Sequence, residues 1–103
     1  MSDIEKTRRA LAARVVEGEG RAGKDVRRNA FQGTGLQGPL ASLVEKVARR
    51  AHQVTDGDFA AARATGLTED QIFEVVVCAA IGEAMRQHDA ALAALDLAIA
   101  RKG

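Results

Sequence analysis

Three side chains in this sequence are suited to acid–base chemistry: Glu74, His52 and His88. Glu74 interrupts a long apolar segment, and a carboxylate held among apolar residues can act as a general acid or base. Histidine titrates near neutral pH. Three roles stay open for Glu74: an exposed charge, an ion pair with a neighbouring helix, or an acid–base group that lines a pocket. We expect both histidines to be ordinary surface or capping residues.

Cys78 is the only cysteine and lies within the apolar run VVVCAAI. Apolar surroundings raise the pKa of a thiol and lower its reactivity, so we expect Cys78 to be a small, buried hydrophobic side chain. A single cysteine excludes an intrachain disulfide framework and a cysteine-based zinc site. The two histidines lie too far apart in the sequence to predict a metal site. We therefore expect neither a metal nor a cofactor.

The segment 17–39 contains six of the ten glycines and the only proline, Pro39. Its motif GTGLQG at 33–38 resembles a phosphate-binding loop, but no apolar strand precedes it and no Lys-Ser/Thr pair follows it, as that loop requires. We interpret 17–39 as a long loop or flexible arm with one helical turn in the middle, around Val26, Ala30 and Phe31. We expect the Phe31 ring to dock on the core.

The charged residues are divided unevenly between the two halves of the chain. Residues 1–50 contain 11 Lys and Arg against 6 Asp and Glu, whereas residues 51–103 contain 4 against 8. Five arginines offer a basic surface: Arg8, Arg9, Arg14, Arg27 and Arg28. With no Trp or Tyr, the chain lacks aromatic surfaces on which bases stack, so we do not expect nucleic-acid binding. The absence of a bilayer-length apolar run and of a signal-peptide pattern favours a cytoplasmic protein.

The elements that must position these residues are helices, because apolar residues recur at helical spacing and no strand pattern is present. The first helix covers residues 3–16, is capped by Ser2 or Asp3, and has an apolar stripe of Ile4, Leu11 and Val15. Pro39 begins an amphipathic helix whose apolar positions are Leu40, Leu43, Val44, Val47, Ala48 and Ala51. A short helix capped by Thr55 then leads to Gly66.

Thr68 begins the helix that we expect at the centre of the core. Thr68 followed by Gln71 is a capping box, and the segment up to Arg86 is apolar on almost all sides. A further helix follows after a bend near residues 85–88, with a stripe of Leu92, Leu95, Ala98 and Ile99. One small chain has little apolar material with which to cover such a helix. We therefore expect an oligomer in which another subunit covers part of the remaining apolar face: Phe73, Val77, Ala80, Ile81 and Ala84.

The sequence ARATGLTED at 62–70, followed by the apolar helix, resembles the carboxymuconolactone decarboxylase and AhpD-like alkylhydroperoxidase superfamily over roughly residues 39–100. The resemblance implies an oligomeric bundle of about five helices. Residues 39–103 would form its helical core, and residues 1–38 an N-terminal helix plus a glycine-rich arm of the same domain. In the peroxidase branch a Cys-x-x-Cys pair and a histidine carry the redox chemistry. Those positions correspond here to Ala51, Val54 and Asp58, and an expected glutamate corresponds to Pro39.

A resemblance without the redox residues implies a scaffold that has lost peroxidase activity. Our leading hypothesis is a non-redox protein that binds a small molecule or serves in assembly. The alternative is a cysteine-independent, lactone decarboxylase-like enzyme that uses Glu74, His52 and His88 in a cleft between subunits. The sequence leaves open whether the chain is an enzyme. The partners that we expect are further copies of the chain and a small-molecule ligand.

Overall fold

The chain is folded from helices over residues 3–102, the part that the computed structural model describes. Five α-helices follow in order within this range: α1 (Asp3–Glu17), α2 (Lys24–Gln32), α3 (Gly38–Arg49), α4 (Asp56–Arg63) and α5 (Glu69–Lys102). A 3₁₀ turn over Ala51–Gln53 joins α3 to α4, and residues 3–102 contain no strand. The prediction of an all-α fold with about five helices is confirmed. Asp3 is the first residue of α1, and Ser2, the other predicted cap, lies outside the described residues.

The capping box predicted at Thr68 is present, and the predicted cap at Thr55 also forms a capping box. The Thr68 N–H donates to Gln71 Oε1 at 2.9 Å, and the Gln71 N–H donates to Thr68 Oγ1 at 3.1 Å. At the start of α4, the Asp58 N–H donates to Thr55 Oγ1 while the Asp58 carboxylate accepts the Thr55 N–H. These bonds pair backbone donors that the helix itself leaves without acceptors. Between the two helices, Gly66 has a φ of 105°, which favours glycine and lets the chain turn directly into α5.

The segment 17–39 is more ordered than the loop or arm predicted from its glycines, because it contains the nine-residue helix α2 in place of a single turn. Gly33 ends α2 in the left-handed conformation, with a φ of 75°, and its N–H bonds to the carbonyls of Asn29 and Ala30. This is a common use of glycine after a helix. Here the glycine marks a helix end, and the GTGLQG motif follows a helix rather than a strand.

α2 and α5 approach each other closely at Gly82. A Cβ atom on Gly82 would overlap the backbone of Phe31, so the two helices meet at a distance that only glycine allows. The Arg86 guanidinium donates to the Phe31 carbonyl, an acceptor in the last turn of α2 that has no partner within the helix. The Phe31 side chain packs against the buried core, as predicted.

The buried side chains form two clusters along the N-terminal half of α5. The larger cluster joins the segment around α2 to α3 and α5, and consists of Ala22, Ala30, Val44, Val75, Cys78 and Ala79. The smaller joins α3, α4 and α5, and consists of Leu43, Ala62 and Ile72. Most of these side chains are small, so the helices pack closely around α5, which lies at the centre as predicted.

The helix predicted to follow Arg86 is instead the continuation of α5, which runs unbroken for 34 residues. Residues 83–102 contain neither Gly nor Pro and are rich in Ala, so nothing in the sequence interrupts the helix. Every residue from 86 to 101 is exposed. Within residues 3–102, no helix is both long and apolar enough to cross a membrane.

α1 runs beside α5 but buries little of its surface. Its buried residue is Val16, whereas Ile4 and Leu11 of the predicted apolar stripe are 70% and 46% exposed. The single chain therefore leaves these two residues of the stripe exposed. The physical reason is that α1 packs on one flank of α5 and on α2, and no third helix of the chain lies over Ile4 and Leu11.

Candidate functional site

The best-defined polar site is centred on the Glu74 carboxylate in the second turn of α5. Both of its oxygens lie 2.9 Å from the Arg21 backbone nitrogen, and Oε2 lies 2.6 Å from the Ala22 nitrogen. These N–H groups belong to the loop between α1 and α2. The sequence left three roles open for Glu74, and the structure favours a different one. Glu74 anchors a loop by accepting hydrogen bonds from its backbone.

The loop is shaped to bring its backbone against this carboxylate. A Cβ atom on Gly20 would lie only 2.6 Å from Glu74 Oε1, so a larger residue at this position would push the loop away. Gln71, one turn earlier on α5, donates from Nε2 to the Arg21 carbonyl at 3.0 Å. The first turns of α5 therefore hold the loop through both its donors and its acceptors.

Charge and burial act on Glu74 in opposite directions. Burial raises the pKa of Glu74, but the Arg21 and Ala22 N–H bonds and the Arg27 charge outweigh burial and hold the pKa below its ordinary value. The carboxylate is therefore ionised at neutral pH. Because ionised carboxylates accept hydrogen bonds more strongly than neutral ones, the charge strengthens the contact with the loop.

Arg27 is the one buried charged residue of the described chain, and its burial was not predicted from the sequence. Its Nη1 donates to the Val15 carbonyl at 3.2 Å, while its Nε has no hydrogen-bond partner. A signal for its burial was available, because Arg27 lies three residues before Ala30 and therefore on the same face of α2. The guanidinium crosses from α2 to α1 beneath the loop and contributes positive charge beside Glu74.

Cys78 lies one turn after Glu74 and is fully buried, as predicted. Its Sγ is 3.5 Å from the Val15 carbonyl, the acceptor that Arg27 also uses. Burial raises the pKa of the Cys78 thiol, although the Arg27 charge acts to lower it. The thiol is therefore protonated at neutral pH and is a poor nucleophile.

A shallow cavity of about 230 Å³ borders this cluster and is lined in part by Glu74, Arg27 and Phe73. Neither His52 nor His88 lines it. His52 lies exposed in the 3₁₀ turn, and His88 lies exposed on α5 fourteen residues after Glu74, or about 21 Å along the helix axis at 1.5 Å per residue. Within one chain, the structure does not bring the three predicted acid–base residues together.

Asp58, in the first turn of α4, has a structural role. The Asp58 carboxylate accepts the Lys46 ammonium at 2.9 and 3.1 Å as well as the cap N–H of Thr55. The Lys46 bond, followed by the Thr55 N–H, lowers the pKa of Asp58. Asp58 thus fixes α4 against α3. Among residues 3–102, no group of three or more His, Cys, Asp or Glu side chains is placed to hold a metal ion.

A second cavity, of about 290 Å³, lies between the loop after α2, α3 and α5. Val44 and Ala48 contribute apolar surface, and Glu45, Arg49, Glu83 and Arg86 contribute charge. Arg86 donates to Glu83 Oε2 at 2.9 Å, and this bond lowers the pKa of Glu83. Glu83, the second carboxylate within the apolar helix, is therefore engaged in a local ion pair.

Comparison with known proteins does not extend these observations, since no family model, no curated protein and no solved structure matches the chain. The resemblance to the AhpD-like superfamily stays a prediction from the sequence.

Proposed function

We propose that this chain is a self-associating assembly protein whose subunits join through the outer face of α5. The observation that carries the proposal is a largely apolar stripe on that face, whose members are exposed except for the half-buried Val77 and Ile81. We call it the outer stripe, and it consists of Phe73, Val77, Ile81, Ala84, His88, Leu92, Leu95 and Ile99. At 100° per residue these positions lie within an arc of about 100°.

Exposure along the outer stripe is extensive. Phe73, Leu95 and Ile99 are 68%, 55% and 60% exposed, and they lie on one rigid helix. Scattered apolar residues on a surface need no explanation, but a contiguous patch of this kind marks an interaction site. Burying the exposed half of a large aliphatic or aromatic side chain yields about 1 kcal/mol. Four such side chains on each of two subunits would contribute about 8 kcal/mol, which is comparable with the cost of association.

The exposure and the helical structure of the segment 86–101 also support the proposal. It makes no core of its own, yet it includes Leu92, Leu95, Leu97 and Ile99 among the exposed large hydrophobic residues. Its alanine content favours helix even where no neighbour packs against it. A preformed helix loses less conformational entropy on association than a flexible segment does.

Light scattering coupled to size-exclusion chromatography tests the proposal, and the chain offers a matched control. Leu95→Glu places a charge within the outer stripe, whereas Leu97→Glu places the same charge on a residue of equal exposure (56% against 55%) on the opposite face of α5. We expect the wild type and Leu97→Glu to have the mass of an oligomer and Leu95→Glu that of one chain. A wild type with the mass of one chain at high micromolar concentration would overturn the proposal.

A second function, small-molecule binding, is favoured by the 290 Å³ cavity described above. Its volume is at the lower end of ligand sites. Two arginines and two glutamates line it, but the glutamates pair with Arg50 and Arg86, so Arg49 beside the apolar surface suits a short-chain carboxylate. Hexanoate is the probe: we expect it to raise the melting temperature of the wild type and to have no effect on Arg49→Gln, in which one arginine of the cavity is neutral. Equal responses of the two proteins would exclude this site. The enzyme alternative lacks comparable support, because its three residues lie apart within the chain.

A further inference from the structure

The shallow cavity of about 230 Å³ beside Glu74 lies between the end of α1, the loop that follows it, α2 and the first turns of α5. Self-association through the outer stripe does not use it. Its lining combines two arginines, two glutamates and two apolar side chains: Arg14, Arg27, Glu19, Glu74, Phe73 and Val77. Each of these three kinds of side chain offers a ligand a different interaction.

Arg27 is the strongest indication of a ligand, because its guanidinium is buried with donors unpaired. The residue is 3% exposed and lines the cavity. A guanidinium carries five N–H groups, yet the Val15 carbonyl is the one acceptor that it meets within residues 3–102, and its Nε has no partner there. A buried donor without an acceptor costs free energy. A carboxylate in the cavity would supply acceptors in the paired geometry that suits a guanidinium.

Glu74 does not take up these donors, although it lies near Arg27. Both Glu74 oxygens accept hydrogen bonds from the backbone N–H groups of Arg21 and Ala22, and its charge acts on Arg27 through space. A Cβ atom on Gly20 would lie 2.6 Å from Glu74 Oε1 and 3.2 Å from Arg27 Nη1. The glycine therefore leaves room beside both charged groups, and the guanidinium keeps part of its hydrogen-bonding capacity.

Two exposed charges of opposite sign lie at the rim of the cavity. Arg14 belongs to the last turn of α1 and Glu19 to the loop that follows, and neither side chain has an ion-pair partner within residues 3–102. With two cations and two anions, the lining has no net charge. A simple anion would face two glutamates and a simple amine two arginines, so this balance favours a ligand that carries both charges.

We propose that this cavity binds an apolar α-amino acid in its zwitterionic form. The carboxylate lies against Arg27 and Arg14, the ammonium faces Glu19, and the aliphatic side chain packs on Phe73 and Val77. A volume of about 230 Å³, below the roughly 300 Å³ at which drug-sized sites begin, suits a ligand of this size.

Nuclear magnetic resonance tests the proposal at the site itself, through the Nε–H signal of Arg27. Leucine and valine are the probes, and two analogues of leucine serve for comparison: isocaproate lacks the ammonium and isopentylamine lacks the carboxylate. We expect leucine to shift the Arg27 signal and to bind about tenfold more tightly than isopentylamine, which brings no acceptor to the buried guanidinium. We expect isocaproate to bind about threefold more weakly than leucine, because the ammonium faces an exposed carboxylate.

Substitutions at the rim test the two exposed contacts without disturbing the core. We expect Arg14→Gln and Glu19→Gln each to weaken leucine binding about threefold, and Glu19→Gln to bind leucine and isocaproate almost equally. Arg9→Gln is the matched control, because Arg9 is exposed on the same helix but does not line the cavity. Equal binding of leucine by all three variants would overturn the proposal.

The result can be separated from that of self-association. Leu95→Glu, expected to have the mass of one chain, lies about 27 Å beyond Val77 along α5 and leaves the cavity unchanged. The titration is therefore carried out on both the wild type and Leu95→Glu. If neither leucine nor valine shifts the Arg27 signal of either protein at millimolar concentration, the proposal is wrong, whatever the oligomeric mass. Equal affinity for leucine and isopentylamine would also overturn it, since the carboxylate would then have no role.

Discussion

Replacing Glu74 by glutamine tests whether this carboxylate anchors the loop between α1 and α2. Glutamine keeps one oxygen that accepts a hydrogen bond, but its NH₂ group replaces an oxygen 2.9 Å from the Arg21 nitrogen, where two donors would then face each other. The remaining bond to Ala22 also loses its charge. A hydrogen bond to a charged group contributes about 1.5–3 kcal/mol. We therefore expect Glu74→Gln to lower the free energy of unfolding by about 2 kcal/mol at pH 7.

The same substitution changes the pH dependence of stability. The pKa of Glu74 in the folded chain lies below its ordinary value of 4.5, so the folded state binds the proton less tightly than the unfolded state does. Its stabilising contribution is therefore complete above pH 4.5 and is lost as the pH falls through the folded pKa. Glu74→Gln has no proton to bind. We expect the stability difference between wild type and variant to shrink between pH 6 and pH 3.

Urea unfolding followed by circular dichroism measures both effects, at one fixed protein concentration because association adds to stability. Glu69→Gln is the matched control: it removes a carboxylate from the same helix, but Glu69 is mostly exposed and bonds only to the exposed Arg63. We expect this control to unfold almost as the wild type does. If Glu74→Gln unfolds at the same urea concentration as Glu69→Gln, the loop does not depend on the carboxylate.

Three further predictions concern the core and the connection between α3 and α4. Gly82→Ala forces α2 away from α5, and we expect a loss of about 2 kcal/mol in urea unfolding; Gly57→Ala in α4, which meets only ordinary contacts, should lose nothing. Cys78 should react with a maleimide at least tenfold more slowly in the native protein than in 6 M urea, as measured by mass spectrometry, and equal rates would contradict its burial. Lys46→Met should make the Asp58 carboxyl titrate at a higher pH by NMR, because its lowered pKa depends first on that ammonium; an unchanged titration would exclude the ion pair.

The features that the sequence predicted well are those that depend on neighbouring residues. The boxes at Thr55 and Thr68 join side chains and backbone groups only three residues apart, so residue types and spacing determine them. The burial of Cys78 follows from its apolar neighbours. The length of α2 was underestimated because the glycines on both sides of it suggested a flexible segment. Ala30 and Phe31 instead pack against the core that α5 contributes to, and this packing stabilises the helix.

The candidate site could not be predicted to the same extent. The contact between Glu74 and Arg21 joins residues 53 positions apart. A local sequence pattern cannot predict which backbone N–H will form a hydrogen bond with a carboxylate so far away in the chain. The sequence identified Glu74 as unusual, because a charge within an apolar helix needs a partner. It did not identify the partner, and it grouped Glu74 with His52 and His88, which the fold places elsewhere.

The two halves of α5 differ in how much of their apolar surface the chain itself buries. Before Gly82 the helix packs against α1, α2, α3 and α4, and its inner face holds the fully buried Val75 and Cys78. Beyond Gly82 the apolar spacing continues although α2 has ended, and leucine residues there add nothing to the core of one chain. Polar residues would keep that segment helical and more soluble at no loss of internal packing. The retention of Leu92 and Leu95 at the spacing of a helical seam is thus explained most simply by a second copy that lies against them.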